Sequence, residues 1–258
     1  MSTLAVQVGA IAGRSIRRTA RQPASAIPPL VFPVALLLVN AGGLKASTRL
    51  PGFPTDSFLA FALAVPFIQG ALFSTMNAGT DLARDIQTGF LSRLSLTPLR
   101  GSALLAGQLA GIVVLGLVQA LFYVAVGLVA GVRFASGLPG ILVLLAFAVL
   151  VSIGFGALGS FLALRTGSGE AIQGLFPVLF VFLFLSSMNT PRDLIAVDWF
   201  RAVATANPVS YLIECVRSLI VSGWDGRALA LGFALALALA VASLAAASWA
   251  LARRMERT

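Results

Sequence analysis

Two acidic residues one helical turn apart, Asp81 and Asp85, are the strongest candidates for catalysis or metal binding in this sequence. Paired carboxylates can hold a divalent cation in a membrane transferase, but a hard cation needs further oxygen ligands, and no other acidic residue lies near them in the sequence. Histidine is absent, Cys215 is the single cysteine, and the single lysine, Lys45, lacks the glycine spacing of a phosphate-binding loop. The sequence therefore predicts no metal site, no catalytic residue and no bound cofactor in this chain.

Polar and aromatic side chains inside apolar stretches are candidates for contact with a transported molecule. Gln69 and Asn77 are the candidates among the amide side chains of these stretches, and Phe176, Phe180 and Phe184 form a row with a spacing of four residues. Interhelical hydrogen bonds are the alternative role for the amides, and packing against lipid is the alternative for the rings. No ionisable side chain lies in these stretches, which disfavours a carrier driven by ions alone.

Apolar helices must position these residues, because the composition excludes a soluble domain. Hydrophobic residues make up 59% of the chain and charged residues 10%, against about 25% charged residues in an average soluble protein. The charged residues leave six apolar runs, each long enough for the roughly 20 helical residues that cross a bilayer. We predict an all-α polytopic membrane protein, a single transmembrane domain over residues 1–258, with six transmembrane helices at 24–44, 57–80, 101–131, 139–164, 171–188 and 228–252.

Orientation follows from the arginines, since basic residues resist translocation across the membrane. With the N-terminus inside, the inner segments hold most of the basic residues, and acidic residues offset several of those outside. The net charge of +9 then marks cytoplasmic flanks and contact with membrane lipids, and no nucleic acid is expected as a partner. Both termini are predicted to be cytoplasmic. Residues 1–22 are predicted to form an interfacial helix that anchors to anionic lipid or steers a partner.

Residues 81–98, between the second and third spans, have the pattern of a separate helix. Thr80 or Asp81 can cap its start and Pro98 ends it. An apolar stripe on one face consists of Ile86, Phe90, Leu91 and Leu94. Such a stripe needs a cover, which is either lipid or another protein.

Residues 193–222, before the last span, contain two helical patterns that are too short to cross the membrane. Asn207 is a good cap for the second helix, with Pro208 at its first position. We predict that the pair lies on the outer interface or enters the membrane as a re-entrant pair. Glu214 and Arg217 are spaced i, i+3 on its polar side. They are predicted to pair either on the solvated surface or across a partly desolvated gate.

The arrangement resembles the permeases of the ATP-binding-cassette type-2 family. The resemblance covers nearly the whole chain. It rests on the six spans, the N-terminal helix, the connection from Asp85 through Gly89 to Thr97-Pro98, and the sequence Asn207-Pro208-Val-Ser-Tyr211-Leu-Ile-Glu214-Cys-Val-Arg217. Within the family, the chain is similar to actinobacterial drug and antibiotic exporters of the daunorubicin-resistance kind.

The resemblance implies a permease subunit in the bacterial plasma membrane that forms a homodimer on two copies of a separate ATPase subunit, which binds ATP and Mg. It would export a hydrophobic or amphipathic molecule such as a drug, antibiotic, lipid or lipid-linked glycan. The second and fifth spans would line the dimer interface and pathway. The alternatives are a non-transporting assembly or immunity component and an ion-coupled carrier. The resemblance implies a coupling helix with Asp85, Ile86, Gly89, Phe90, Leu91, Leu94, Thr97 and Pro98, and an outer gate with Asn207, Pro208, Tyr211, Glu214 and Arg217.

Overall fold

The computed structural model describes residues 3–21, 23–90, 93 and 101–255. These residues form α-helices joined by short turns, and no strand occurs among them, which confirms the predicted all-α class. The helices are α1 (Thr3–Arg21), α2 (Pro23–Gly43), α3 (Phe58–Ala62), α4 (Ala64–Gln87), α5 (Gly101–Val129), α6 (Gly137–Thr166), α7 (Gly169–Phe184), α8 (Asp198–Ala206), α9 (Pro208–Arg217) and α10 (Gly226–Met255).

Among the described residues, four stretches are long and apolar enough to cross a membrane. They are Phe58–Gln87, which joins α3 and α4, Leu104–Val129 in α5, Gly137–Thr166 in α6 and Gly226–Met255 in α10. Two shorter apolar helices, Ile27–Gly43 and Gly169–Phe184, correspond to the predicted first and fifth spans. The protein is therefore a multi-pass membrane protein, and the count of six spans remains a prediction.

The chain alternates between two ends of the helical bundle, which we call inner and outer after the predicted orientation. The inner end holds the turn after α4 and the turn between α6 and α7, where Gln87 Nε2 donates to the Gly167 carbonyl at 3.1 Å. The outer end holds the turn between α5 and α6 and the segment 185–225. There the Ala135 amide donates to the Ile220 carbonyl at 3.0 Å.

The helix α4 is the centre of the bundle, packed against α2, α5, α6, α7 and α9. Small residues let the α4 and α6 backbones meet: a Cβ added to Gly159 of α6 would lie 2.0 Å from the Thr75 carbonyl oxygen. In its most apolar stretch, 89% of the residues are buried within the chain. The expectation that the second span lines an interface between two copies is therefore wrong, because α4 has little surface left to offer.

Residues 81–87 continue α4, so the predicted separate helix does not begin at Asp81. No proline separates them from the span, and the Thr80 hydroxyl donates to the Met76 carbonyl inside the helix at 2.7 Å instead of capping a new one. The helix ends at Gln87. Gly89 follows with a left-handed φ of +68°, which suits glycine best, and the Arg93 amide bonds back to the Gly89 carbonyl. Leu91, Leu94, Thr97 and Pro98 lie outside the described residues.

The prolines of α2 create a polar defect that α5 repairs. Pro33 has no N–H, so the Pro29 carbonyl loses its helical donor. The Tyr123 hydroxyl of α5, buried in the bundle, donates to that carbonyl. An unpaired carbonyl inside an apolar bundle is costly, so this single bond stabilises the packing of α2 against α5.

We expect Tyr123→Phe to lower the free energy of unfolding by about 1–3 kcal/mol, because the Pro29 carbonyl would be left buried without a donor. Thermal unfolding of the purified chain in detergent measures this change. Tyr211→Phe is the matched control, since its hydroxyl bonds the Thr205 carbonyl at an exposed position where water can replace it. Equal melting temperatures for both variants would contradict the assignment.

Candidate functional site

An ion-pair cluster at the inner end joins the N-terminal helix to the end of α4. Arg14 Nη2 lies 2.5 Å from Asp85 Oδ2, and Arg18 bridges Asp81 at 2.8 Å and Asp85 at 3.2 Å. The two acids face α1 because they are one helical turn apart on the same side of α4. We call Arg14, Arg18, Asp81 and Asp85 the inner ion-pair cluster. Asp85, predicted as a coupling residue, is buried, whereas the other three members are partly exposed.

Shape complementarity holds α1 against the inner half of α5. A Cβ on Gly107 would lie 2.5 Å from Ile11, so only glycine permits this approach. The Ser15 hydroxyl also donates to the Gln108 carbonyl at 3.3 Å. The predicted interfacial helix is therefore also a packed element of the bundle, while Arg17 and Arg21 remain on its exposed face.

The connection after α4 also contacts α1, through Phe90. The Arg14 guanidinium lies 3.8 Å from the centre of the Phe90 ring, a cation–π contact. A cavity of about 50 Å³ lies between α1, α4 and α5, next to this contact and the ion pairs. Ser74, Asn77 and Gln108 line it, and each has a buried polar atom with no hydrogen-bond partner in the described part of the chain. Phe90 and the cluster thus bring the connection, α1 and α4 to one place.

The pathway candidates fall into two different environments. Gln69 is enclosed within the bundle, and both polar atoms of its amide lack partners among the described residues. The phenylalanines of α7 lie at the side of the bundle. The ring centre of Phe73 of α4 lies 4.8 Å from that of Phe176 and 6.3 Å from that of Phe180, while Phe184 is half exposed. Phe32 of α2 joins them by a contact to Phe180 at 5.8 Å between ring centres. The structure therefore groups the aromatic candidates but not the amides with them.

Asn207 holds the outer helical pair together. Its side-chain oxygen accepts from the Val209 amide and caps α9, with Pro208 at the first position. Its side-chain nitrogen donates to the carbonyls of Phe182 at 2.6 Å and Leu185 at 3.0 Å, at the end of α7. Because the last carbonyls of a helix lack partners within it, Asn207 satisfies the end of one helix and the start of another.

Arg217 binds backbone carbonyls instead of an acid. It is only 6% exposed, and it donates to the carbonyls of Phe61 at 3.1 Å, Ser187 at 3.0 Å and Met188 at 2.9 Å. Its guanidinium also stacks on the Phe61 ring at 3.6 Å. Burial lowers the pKa of Arg217, and the nearby negative charge of Glu214 opposes this shift in part. Arg217 thereby ties α9 to α3 and to the segment after α7.

The predicted ion pair between Glu214 and Arg217 is wrong. Glu214 accepts instead from Arg192 Nη2 at 2.6 Å and from the Ser187 hydroxyl at 2.9 Å. Partial burial lowers the pKa of Arg192, but Glu214 and Tyr211 outweigh it, so this pKa is raised. The polar side of α9 faces the segment 186–192, where carbonyls and Arg192 are available, and this separates the two charges.

Sequence reasoning missed four partners at these sites. Arg14 and Arg18 belong to residues 1–22, for which the sequence predicts only an interfacial helix that anchors to lipid or steers a partner, although acids spaced by four on a facing helix are a usable signal for such pairs. Arg192 and Phe61 carried no comparable signal, since Arg192 lies in a single 3-10 turn, Arg192–Leu194, and Phe61 contributes a backbone carbonyl.

The fold and these sites define the class: a multi-pass helical membrane protein whose inner connection is ion-paired to an N-terminal helix and whose outer helical pair is capped and anchored. The sequence model of the ABC-2 type transporter family matches residues 6–221, and the chain belongs to this family.

Relatives of the chain are named as transport permeases. It is 30% identical over 205 residues to the daunorubicin resistance ABC transporter permease protein DrrB1 of Streptomyces coeruleorubidus, which covers 76% of this chain and 68% of the relative. It is 24% identical over 210 residues to a protein of Mycobacterium tuberculosis named for doxorubicin resistance, the ABC transporter permease DrrC, which covers 81% and 75% respectively. The family is a non-catalytic transport component of ABC systems and works with an ABC ATPase subunit.

Proposed function

We propose that this chain is the permease subunit of an ATP-driven exporter of hydrophobic or amphipathic molecules. The observation that carries the proposal is the family match over most of the chain, together with relatives named for resistance to two drugs. Drugs, antibiotics, lipids and lipid-linked glycans all belong to this substrate class. ATP and Mg bind to the partner ATPase, and this chain provides the path through the membrane.

The inner end offers a physical route for coupling ATP hydrolysis to movement of the spans. A force on the connection after Gly89 reaches α4 directly, because residues 81–87 continue that helix. It also reaches α1 through Phe90 and the inner ion-pair cluster. We assign Ile86, Leu91, Leu94, Thr97 and Pro98 to contact with the ATPase or to shaping that contact, and Phe90 to fixing the connection on α1.

A second copy of this chain is the proposed partner in the membrane. Since α4 is enclosed, we assign the contact between the two copies to the apolar surfaces of α2 and α7, where Val31, Phe32, Val181 and Phe184 are exposed. Aromatic contacts connect the two helices, so they can form one continuous face. In this arrangement Phe176, Phe180 and Phe184 border the pathway, both termini are cytoplasmic, and the complex lies in the bacterial plasma membrane.

The test is Leu94→Asp in the chain co-expressed with its ABC ATPase. A carboxylate on the apolar docking face costs about 2–5 kcal/mol if Leu94 is fully buried at the contact, and tenfold in affinity corresponds to about 1.4 kcal/mol. We expect normal membrane insertion, but poor copurification of the ATPase or loss of daunorubicin-stimulated ATP hydrolysis.

Thr88→Asp is the control, because it adds the same charge at an exposed position of the same connection. Wild-type copurification, hydrolysis and daunorubicin transport in the Leu94→Asp complex would remove residues 90–98 from the ATPase contact.

A further inference from the structure

The outer end contains a second, larger cavity, whose lining is rich in arginine. It has a volume of about 590 Å³ and opens between α3, the segment 191–193, α8, α9 and the start of α10. Arg192, Arg201, Arg217 and Arg227 reach it from four different elements, and the acids in its lining are Asp193, Glu214 and Asp225. We call this space the outer cavity.

The acids of the outer cavity leave positive charge uncompensated. Glu214 is already bound by Arg192 and the Ser187 hydroxyl. Asp225 accepts from the amides of Arg227 and Ala228 and so caps α10. Arg201 bonds the Ile195 carbonyl, and its contact to Asp198 is long, at 3.5 Å, and fully solvated on the acid's side. Arg192 is thus paired with Glu214. Within the described residues, Arg217 and Arg227 make no salt bridge, and Arg201 makes only the long contact to Asp198, which lies outside the cavity lining.

Arg217 is a buried cation of the outer cavity that lacks an acidic partner. It is buried and charged, yet its hydrogen-bond partners are neutral carbonyls. A guanidinium has five N–H donors, and the described residues use three of them. Buried charges in proteins are normally paired with an opposite charge, because carbonyl dipoles replace only part of the lost hydration.

We propose that the outer cavity binds the phosphate group of an anionic amphiphile. Guanidinium groups that converge from several directions suit the oxygens of a phosphate, each of which accepts more than one hydrogen bond. Phe61, Tyr211 and Leu231 supply an apolar wall on which the rest of the molecule can lie. The site requires no transport, so it is present in the permease alone and stands independently of the proposed function.

Binding to the full-length chain purified in a neutral detergent tests the site. The probes are dihexanoyl phosphatidylglycerol, dihexanoyl phosphatidylcholine and inorganic phosphate, measured by isothermal titration calorimetry. We expect the anionic lipid to bind about tenfold more tightly than the zwitterionic one, because both carry a phosphate but the arginines of the cavity repel the choline cation of phosphatidylcholine. Competition by inorganic phosphate identifies the anion alone as sufficient, and failure to compete assigns the site to a lipid headgroup; both outcomes support an anion site.

Arg227→Gln tests the location of binding without touching the buried Arg217. Arg227 lines the outer cavity with an exposed side chain, so its loss is expected to weaken the binding of phosphatidylglycerol about tenfold and that of phosphatidylcholine by less, because the choline cation no longer meets this arginine. Arg133→Gln makes the same charge change at the outer end but outside the cavity lining, and should have no effect. Equal binding of the two lipids, or equal losses in the two variants, would overturn the proposal.

Discussion

Arg217→Ala is expected to prevent accumulation of folded protein. The substitution removes three hydrogen bonds and leaves the carbonyls of Phe61, Ser187 and Met188 buried without a donor. Each lost partner costs about 1–3 kcal/mol, and the sum is comparable to the whole stability of many domains. Membrane content of the chain and the monodisperse fraction after size-exclusion chromatography in detergent measure the effect.

A comparison with Glu214 separates this role from an ion pair with Arg217. Glu214→Gln should be mild, because Arg192 is partly exposed and keeps contact with Tyr211. If the two charges balanced each other, the double variant would recover stability lost in Arg217→Ala. The structure predicts no recovery, since the bonds to the three carbonyls are missing in both variants. Recovery of stability in the double variant would support the ion pair between Glu214 and Arg217 that the sequence predicts.

Asp85→Arg is expected to uncouple ATP hydrolysis from the membrane spans. Three arginines would then meet at the inner end, with Asp81 as the remaining acid of the inner ion-pair cluster, and α1 would separate from α4. Like charges at this spacing repel, and Phe90 would lose the Arg14 contact that holds the connection. We expect the permease to insert normally and stimulated ATP hydrolysis by the complex to fall by about tenfold, the effect of roughly 1.4 kcal/mol.

A double variant with exchanged charges tests whether the effect of Asp85→Arg comes from the lost ion pair. Arg14→Asp combined with Asp85→Arg restores one opposite pair across the same gap, so hydrolysis should recover in part. Glu170→Gln is the control for removing an acid at the inner end, because Glu170 is exposed in the first turn of α7. An undiminished response in Asp85→Arg would show that α1 is a passive lipid anchor.

The outer segment shows where local pattern reasoning succeeds and where it fails. The Asn207-Pro208 pair marks the start of α9 because capping depends on neighbours in sequence. The partner of Glu214 could not be predicted in the same way. A pattern places Arg217 three residues away, but the choice between it and Arg192 depends on which segment folds over the polar side of α9.

The inner segment shows the same division. The end of a helix near Gly89 can be predicted from the sequence, because the left-handed backbone conformation at this position strongly favours glycine. Which surface Asp81 and Asp85 contact was decided by the tertiary structure, which places the arginines of α1 beside both acids. The local sequence allowed a helix cap at Thr80, but it held no information on the ion pairs with Arg14 and Arg18.

The sequence by itself determined the class of this protein, because apolar runs of about 20 residues without charge have the length of transmembrane helices, in which each run pairs its own backbone groups away from water. The tertiary structure alone decided which helix is central and which charges meet. The enclosure of α4 results from the close approach at Gly159, and Arg217 is anchored by carbonyls contributed by residues up to 156 positions away. Such contacts depend on backbone geometry at a distance, which periodicity and residue type do not encode.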